Sequence, residues 1–171
     1  SPPRRKFQPM TAHFGLKVRA IGVGLIALVG ISLAQDTEEI SAKAKKYHSV
    51  LVKRPKPGYL FDRFYNTWLE TGTIEGLGAF LHREVQDSPS TGNRLLLAFY
   101  LSKQNKDNEA LDQFDTVLET DAGNPEVWFE KARLDSRMLN FESAIEALDK
   151  SAESGAQGEL AMEIGKLKGQ L

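Results

Sequence analysis

Apolar residues recur at intervals of three and four along most of the chain, which is the spacing of one face of an α-helix. Phe61, Phe64 and Trp68, for example, share one such face. Turns rich in glycine, proline and asparagine separate the periodic stretches, and no stretch shows the strict alternation of a half-buried strand. We therefore predict an all-α protein with helices over 37–53, 59–71, 74–86, 92–104, 108–120, 125–138, 141–153 and 159–170.

The first of these helices has recognisable start and stop signals. Asp36 and Glu39 fit a capping box, in which each side chain binds a free backbone N–H near the other. The sequence RPKPG at 54–58 ends the helix, because proline lacks an N–H donor and disfavours helix in the preceding residue. Residues 35–57 are thus predicted to form a leading helix and a proline-rich linker.

Two segments, 91–124 and 125–158, repeat one pattern of residue types at an interval of 34 residues. Small residues recur at two places in each segment, followed by a large apolar place and an alanine-like place. In chain order these pairs are Ala98 and Ala132, Ala110 and Ala144, Phe114 and Leu148, and Val117 and Ser151. The pattern resembles the tetratricopeptide repeat, a 34-residue helical hairpin. The first segment departs from the family pattern at Arg94. The equivalent residue one repeat later is Trp128, which is the aromatic residue that the family has at this position.

The resemblance implies an α-solenoid, since a single hairpin cannot bury its apolar stripe without a stacked neighbour. Residues 58–91 form an earlier, degenerate copy, in which Tyr65 and Leu77 occupy the two small places. Residues 159–171 form a capping helix or the first helix of a further repeat. The predicted repeat region is therefore 58–171.

The charge is distributed unevenly along the 171 residues. Arg4, Arg5, Lys6, Lys17 and Arg19 are five of the 22 basic residues, so 17 basic residues remain against all 23 acidic ones. Such an acidic body argues against general nucleic-acid binding, which depends on neutralising phosphates.

Residues 1–34 are interpreted as an N-terminal extension with a secretory signal peptide. Basic residues precede the uncharged run 20–35, which is shorter than the roughly 20 residues that a spanning helix needs. Small residues at its end predict cleavage after Ala34, which makes Gln35 the mature N-terminus and the protein periplasmic or secreted. The alternative is an uncleaved membrane anchor formed by 20–35. Met10 is the expected translation start.

No catalytic, metal or cofactor site is predicted. The chain has no cysteine, and His13, His48 and His82 have no paired ligand at metal-binding spacing. The glycines of GTIEGLGAF lie within a predicted helical hairpin, which is not the context of a nucleotide loop. We expect a non-catalytic scaffold that binds a protein or peptide. The alternative is an N-terminal recruitment region of a larger exported enzyme or membrane-anchored assembly factor. The reading frame past Leu171 distinguishes the two, because further repeats would support the scaffold and a new composition would support the fused enzyme.

The resemblance also implies a concave binding surface lined by the first helix of each repeat. The corresponding residues are Gly92, Leu95, Phe99, Ser102 and Lys103 in one repeat and Glu126, Phe129, Arg133, Ser136 and Arg137 in the next. Lysine and arginine are more frequent there than in the rest of the mature chain. The predicted ligand is an extended peptide with acidic residues or a C-terminal carboxylate, anchored on Phe99 and Phe129.

The binding prediction has one alternative and one departure from the family. In the alternative interpretation, Arg133 and Arg137 pair with neighbouring acids such as Asp135 and do not bind a ligand. The family's carboxylate-clamp pattern is not reproduced either, because Asp62 stands where that pattern has a lysine, although Asn66 matches. We therefore do not predict a receptor for chaperone tails.

Overall fold

The computed structural model describes residues 41–171, and these residues form eight α-helices without a strand. The helices are α1 (Ala42–Lys53), α2 (Tyr59–Leu69), α3 (Ile74–Asp87), α4 (Thr91–Lys103), α5 (Asp107–Thr120), α6 (Pro125–Arg137), α7 (Phe141–Glu153) and α8 (Gly158–Lys168). The predicted all-α class is confirmed. From α2 onward every helix boundary lies within two residues of its predicted position.

The start of α1 differs from the prediction. The helix begins at Ala42, and Ser41 is its N-cap, with a ψ of 146° and a side-chain oxygen that accepts a hydrogen bond from the Ala44 amide at 3.2 Å. A continuous helix from residue 37 is therefore wrong, because a serine cap satisfies a backbone N–H in a non-helical conformation. The predicted capping box of Asp36 and Glu39 lies outside the described residues.

Side-chain caps also determine where α3, α4 and α6 begin. Thr73, Ser90 and Asn124 each accept a hydrogen bond from the amide three residues later, at 2.9, 3.1 and 3.2 Å. Pro125 occupies the first turn of α6, where its missing N–H would have no partner within the helix. The capping hydrogen bonds of these three side chains therefore define the first residues of α3, α4 and α6.

The eight helices stack as successive antiparallel hairpins. α4 packs on α5 and α6 on α7, α5 contacts α6, and α8 closes the stack against α6 and α7. The four small residues of the repeats, Ala98, Ala110, Ala132 and Ala144, have no exposed surface. Small side chains allow the helices of a hairpin to approach closely. The buried side chains form two clusters, one contributed by α1 to α6 and the other by α6, α7 and α8, and Trp128 packs against both. This part of the chain is an α-solenoid, as predicted.

The degenerate copy packs differently from the later hairpins. α2 and α3 approach each other at only a few backbone positions, and large rings fill the space between them. Trp68 and Phe80 lie 5.0 Å apart, and the His48 ring of α1 lies 5.8 Å from Phe64 and 4.9 Å from Phe80. Tyr65 and Leu77 stand where the repeat pattern has small residues, and they keep α2 and α3 apart. Helix α1 completes the core of this hairpin.

Residues 1–40 lie outside the described part of the chain. The predicted signal segment 1–34, its cleavage between Ala34 and Gln35 and the alternative anchor 20–35 therefore stay predictions. Among the helices of residues 41–171, none combines the length and apolar character that crossing a membrane requires.

Candidate functional site

A cleft of about 300 Å³ lies between α2, α4, α5 and α6. Its floor is aromatic: Phe61 of α2 meets Phe99 of α4 edge to face at 5.7 Å, and Phe99 meets Phe114 of α5 at 6.2 Å. The three side chains are only 3, 7 and 2% exposed. The floor is therefore rigid apolar surface contributed by three different helices. We call this site the aromatic cleft.

Three ion pairs surround the aromatic cleft. The first joins α4 to α2, where the Lys103 ammonium lies 2.8 Å from the Asp62 carboxylate and 5.1 Å from the centre of the Tyr65 ring. About half of each charged side chain is exposed. Ion pairs in such solvent-accessible positions contribute about 0–1 kcal/mol, so this pair can open at low cost.

The second pair holds Arg137 at the C-terminus of α6 against the start of α5. The guanidinium forms a bidentate contact with the Asp107 carboxylate. It also donates to the backbone oxygen of Ser102 at 3.2 Å and to the Ser102 hydroxyl at 3.0 Å. Four hydrogen bonds fix the direction of Arg137, because a guanidinium presents its donors in one plane.

The third pair is local to α6. The Arg133 guanidinium donates to both carboxylate oxygens of Glu130 at 3.2 Å, across one helical turn. Arg133 is 55% exposed, whereas the Glu130 side chain is only 18% exposed. Burial raises the pKa of Glu130 above its ordinary value, while the Arg133 charge acts in the opposite direction. Glu130 is thus a carboxylate held in an environment that disfavours its charge.

The predicted binding residues divide into two groups. Phe99, Ser102, Lys103, Arg133 and Arg137 line the aromatic cleft, so the structure brings these five together. The other five do not line it. Leu95 and Phe129 are 4 and 6% exposed and pack in the core, Ser136 is half-buried, and Gly92 and Glu126 lie at the opposite end of the predicted face. Phe129 is accordingly not part of the aromatic cleft.

Helix α1 and the linker that follows it cover the other end of the predicted binding face, which is formed by the first turns of α4 and α6. Gly92 lies against the Val52 carbonyl of α1, and Lys56 pairs with Glu126 at 3.3 Å. Pro57 and Gly58 continue along the edge of the aromatic cleft. The accessible part of the face is therefore limited to the C-terminal ends of α4 and α6.

The alternative interpretation named the wrong acid. Asp135 pairs with neither arginine, since Arg133 bonds Glu130 and Arg137 bonds Asp107. The physical reason is helical geometry, because residues two positions apart point in different directions around a helix. The general idea that acids of the fold neutralise these arginines is nonetheless what the structure shows.

Several residues of the aromatic cleft were not identified from the sequence. Glu130 precedes Arg133 by three residues, a spacing at which helical side chains meet, so this pair was detectable. Phe61 and Asp62 reach the cleft only through the packing of α2 on the repeats, which no local pattern predicts. Within residues 41–171, no group of three or more histidine or acidic side chains is placed to hold a metal ion.

Comparison with known proteins adds no family to this picture. No model of a protein family matches the chain, and no curated protein matches it in sequence. The geometry of the aromatic cleft is therefore the basis for a functional proposal.

Proposed function

We propose that the protein is a non-catalytic scaffold that binds an extended segment of a partner protein in the aromatic cleft. The observation that carries this proposal is the combination of a floor formed by Phe61, Phe99 and Phe114 with a cationic group at each of three rim positions. Such a cleft suits an apolar side chain flanked by carboxylates. The bound segment is acidic or ends in a free C-terminal carboxylate.

The existing ion pairs are compatible with this ligand. Lys103, Arg133 and Arg137 are 41, 55 and 45% exposed, so water already solvates part of each charge. Replacing an internal carboxylate by one from the ligand keeps the number of ion pairs unchanged. The gain then comes from apolar contact with the floor and from charge-assisted hydrogen bonds of good geometry.

Arg133 is the cation most easily transferred to a ligand. Its partner Glu130 is mostly buried, and burial raises the pKa of that carboxyl, so that it takes up a proton more readily than an exposed glutamate. A protonated Glu130 no longer neutralises Arg133, which can then bind an incoming carboxylate. Lys103 and Arg137 contribute orientation, since both link neighbouring helices.

The proposed architecture behind this function is a repeat of the tetratricopeptide type. Its support is the 34-residue interval together with the complete burial of Ala98, Ala110, Ala132 and Ala144. Solenoids of this kind present extended surfaces suited to binding peptides. We further propose that the scaffold acts after export, on the evidence of the apolar segment before Ala34.

The first experiment tests the cations. A partner is recovered by pull-down with the chain, and its binding is then measured with the double variant Arg133→Glu and Arg137→Glu. Binding should be lost while circular dichroism shows an intact helical fold. The matched control is Lys45→Glu with Lys46→Glu, which makes the same charge change at exposed positions of α1. Unchanged binding in the cleft variant would move the site to the loops or to another face.

The second experiment tests the sign of the ligand charge. Glu130→Gln removes the competing carboxylate, so affinity for an acidic partner should increase. Because burial raises the pKa of Glu130 above its ordinary value, the wild type should also gain affinity for an acidic partner as the pH falls from neutral to mildly acidic. The variant should lack that increase. Weaker binding by Glu130→Gln would show that the partner presents a cation instead.

A further inference from the structure

Basic and acidic residues of the chain are concentrated in different elements. Residues 41–58, which comprise α1 and the linker to α2, contain six basic residues and no acidic one. Residues 59–171 contain 11 basic and 20 acidic residues, so their net charge is −9. The first helix and its linker therefore carry a positive charge that contrasts with the rest of the described chain.

Most of these cations lie on the exposed side of α1. Ala44 and Leu51 have no exposed surface and define the side of α1 that packs on the other helices. On the exposed side, four residues follow one another at intervals of three and four and so share one helical face. They are Lys43, Lys46, Val50 and Lys53, and all four are exposed. The exposed side chains of Lys45 and Arg54 flank this face.

Four of the six cations have no acidic partner in residues 41–171, namely Lys45, Lys46, Lys53 and Arg54. Lys43 lies 3.9 Å from the Glu70 carboxylate, and Lys56 lies 3.3 Å from the Glu126 carboxylate. Both of these pairs are exposed, so each contributes only about 0–1 kcal/mol. The charges of α1 are thus available to an external anion, whereas the cations of the aromatic cleft are each paired.

Apolar and aromatic side chains lie among these cations. Val50 is 43% exposed, and Tyr59, at the start of α2, is 78% exposed. The Arg63 guanidinium lies 6.0 Å from the centre of the Tyr59 ring, and a hydrogen bond with the Tyr47 side chain of α1 raises the pKa of Arg63. The exposed surface of α1 therefore continues onto α2. We call the exposed side of α1, together with Tyr59 and Arg63, the basic face.

We propose that the basic face docks on the surface of a membrane that contains anionic lipid. Negatively charged headgroups attract lysine and arginine, and clusters of these residues on a helix are typical of proteins that bind such lipids. Tyr59 and Val50 then enter the interfacial layer, where tyrosine is enriched and apolar side chains gain from burial. No residue of the basic face lines the aromatic cleft, so the proposal does not depend on the proposed function.

A bilayer fits the charge distribution better than a nucleic acid does. A flat surface meets only one side of the molecule, whereas a nucleic acid that extends beyond α1 approaches the net negative charge of residues 59–171. The sequence also places α1 close to a membrane, because only residues 36–40 separate Ser41 from the apolar segment 20–35. A signal peptide and an anchor would both bring residue 36 to the membrane.

Vesicle binding by the full chain tests the proposal. Every sample carries Leu25→Asp and Leu28→Asp, which interrupt the apolar segment 20–35 so that it does not insert on its own. The chain has no cysteine, so an environment-sensitive fluorophore can be attached through Ser49→Cys on the exposed side of α1. A second sample carries the label through Ala152→Cys, at an exposed position of α7, as a reference. The probes are vesicles of phosphatidylcholine, with and without phosphatidylglycerol.

The label at residue 49 should respond in a saturable manner to vesicles that contain phosphatidylglycerol and not to phosphatidylcholine alone. The label at residue 152 should not respond, because α7 stays in water. Added salt should weaken the binding, since it screens exposed charges. Equal responses of the two labels, or equal binding to the two kinds of vesicle, would overturn the proposal.

Two double variants identify the contact surface. Lys46→Gln with Lys53→Gln should raise the lipid concentration at half-maximal response roughly 25-fold, because each such charge near an anionic surface contributes about fivefold. Lys166→Gln with Lys168→Gln removes the same charge from exposed positions of α8 and should bind like the wild type. Glutamine is a good helix former, and circular dichroism checks that both variants are folded. Equal affinities of the two double variants would show that the basic face is not the contact.

A DNA duplex titrated into the same labelled chain tests the other class of polyanion. A response to DNA without a response to vesicles would assign the basic face to nucleic acid and overturn the proposal. Vesicle binding that depends on Lys46 and Lys53 supports the proposal with either result for DNA. If the variant of these two lysines fails to fold, the comparison of the two labels and the effect of salt decide.

Discussion

Gly92 of α4 lies directly against the carbonyl group of Val52 in α1, and a Cβ atom at residue 92 would overlap with that oxygen. The leading helix and the first full repeat therefore meet through their backbones. This contact determines where α1 lies, and it removes one end of the predicted binding face from solvent.

Replacing Gly92 by alanine should destabilise the protein by about 1–3 kcal/mol, because the new methyl group forces α1 and α4 apart. Urea unfolding followed by circular dichroism measures the change. The matched control is Gly165→Ala in α8, where an added Cβ meets no atom within 4 Å. There the higher helix propensity of alanine should stabilise the fold by up to about 1 kcal/mol. A Gly92→Ala variant as stable as the wild type would disprove the close approach.

Ala132 tests the packing of the repeats. The residue has no exposed surface between α6 and α7, so Ala132→Leu should destabilise the fold by about 1–3 kcal/mol through overpacking. Ala152→Leu makes the same change on the exposed side of α7 and should stay within about 0.5 kcal/mol of the wild type. Similar midpoints for the two variants in a urea titration would contradict tight hairpin packing at this position.

His48 should make stability sensitive to mild acid. Burial between Phe64 and Phe80 lowers the pKa of His48, while the Glu84 charge acts in the opposite direction. The unfolded chain then takes up a proton before the folded chain does, so stability is lost as the pH falls through about 6.5, the pKa of the unfolded histidine. Below the lowered folded-state pKa the loss levels off.

Unfolding free energies at several pH values between neutral and mildly acidic measure the effect of His48. His48→Phe should remove most of the loss in that range, because a phenyl ring fills the aromatic site without titrating. His82→Gln is the control, since that histidine is exposed. An unchanged pH profile in His48→Phe would assign the acid sensitivity to other groups.

The sequence pattern predicts those parts of the fold that depend on local packing within a helical hairpin. The repeats at 91–158 were predictable because the small and large apolar residues of the pattern are those that packing within one helical hairpin requires. Ser151, the polar residue at an alanine-like place, fits as well: it is fully buried, and its hydroxyl donates to the Pro125 carbonyl at 2.6 Å. The start of α1 was not predictable in the same way, because Asp36 and Ser41 both offer suitable capping side chains.

The candidate site was predictable only in part, for a different reason. Repeat register identifies Lys103, Arg133 and Arg137, since their positions along α4 and α6 follow from the period. It does not reveal that Asp62 and Phe61 reach the same cleft, because α2 belongs to a copy whose small places are filled by larger residues. Contacts between elements that differ from the repeat geometry depend on tertiary packing.

The N-terminal segment gives a prediction about processing. Expression of the chain with its native N-terminus in a bacterium should yield an exported species whose mass begins at Gln35, because small residues precede the bond after Ala34. Ala34→Arg should block that cleavage, while Gln35→Ala should leave it unchanged. A full-length species in the cytosolic fraction would contradict the export prediction, and a full-length membrane-bound species would support the anchor formed by 20–35.

Leu139, in the turn between α6 and α7, has a φ of 65° and is 72% exposed. A left-handed conformation costs a residue with a Cβ atom about 1–2 kcal/mol, and an exposed side chain gains little packing in return. Leu139→Gly should therefore stabilise the fold by about 1 kcal/mol after the greater freedom of glycine in the unfolded chain is counted. Asn105 holds the equivalent turn between α4 and α5 at a φ of 58°. Because asparagine tolerates this conformation, Asn105→Gly should change stability by less. Thermal and urea unfolding of both variants test the ranking, and an equal or larger gain at residue 105 would show that backbone strain is not concentrated at Leu139.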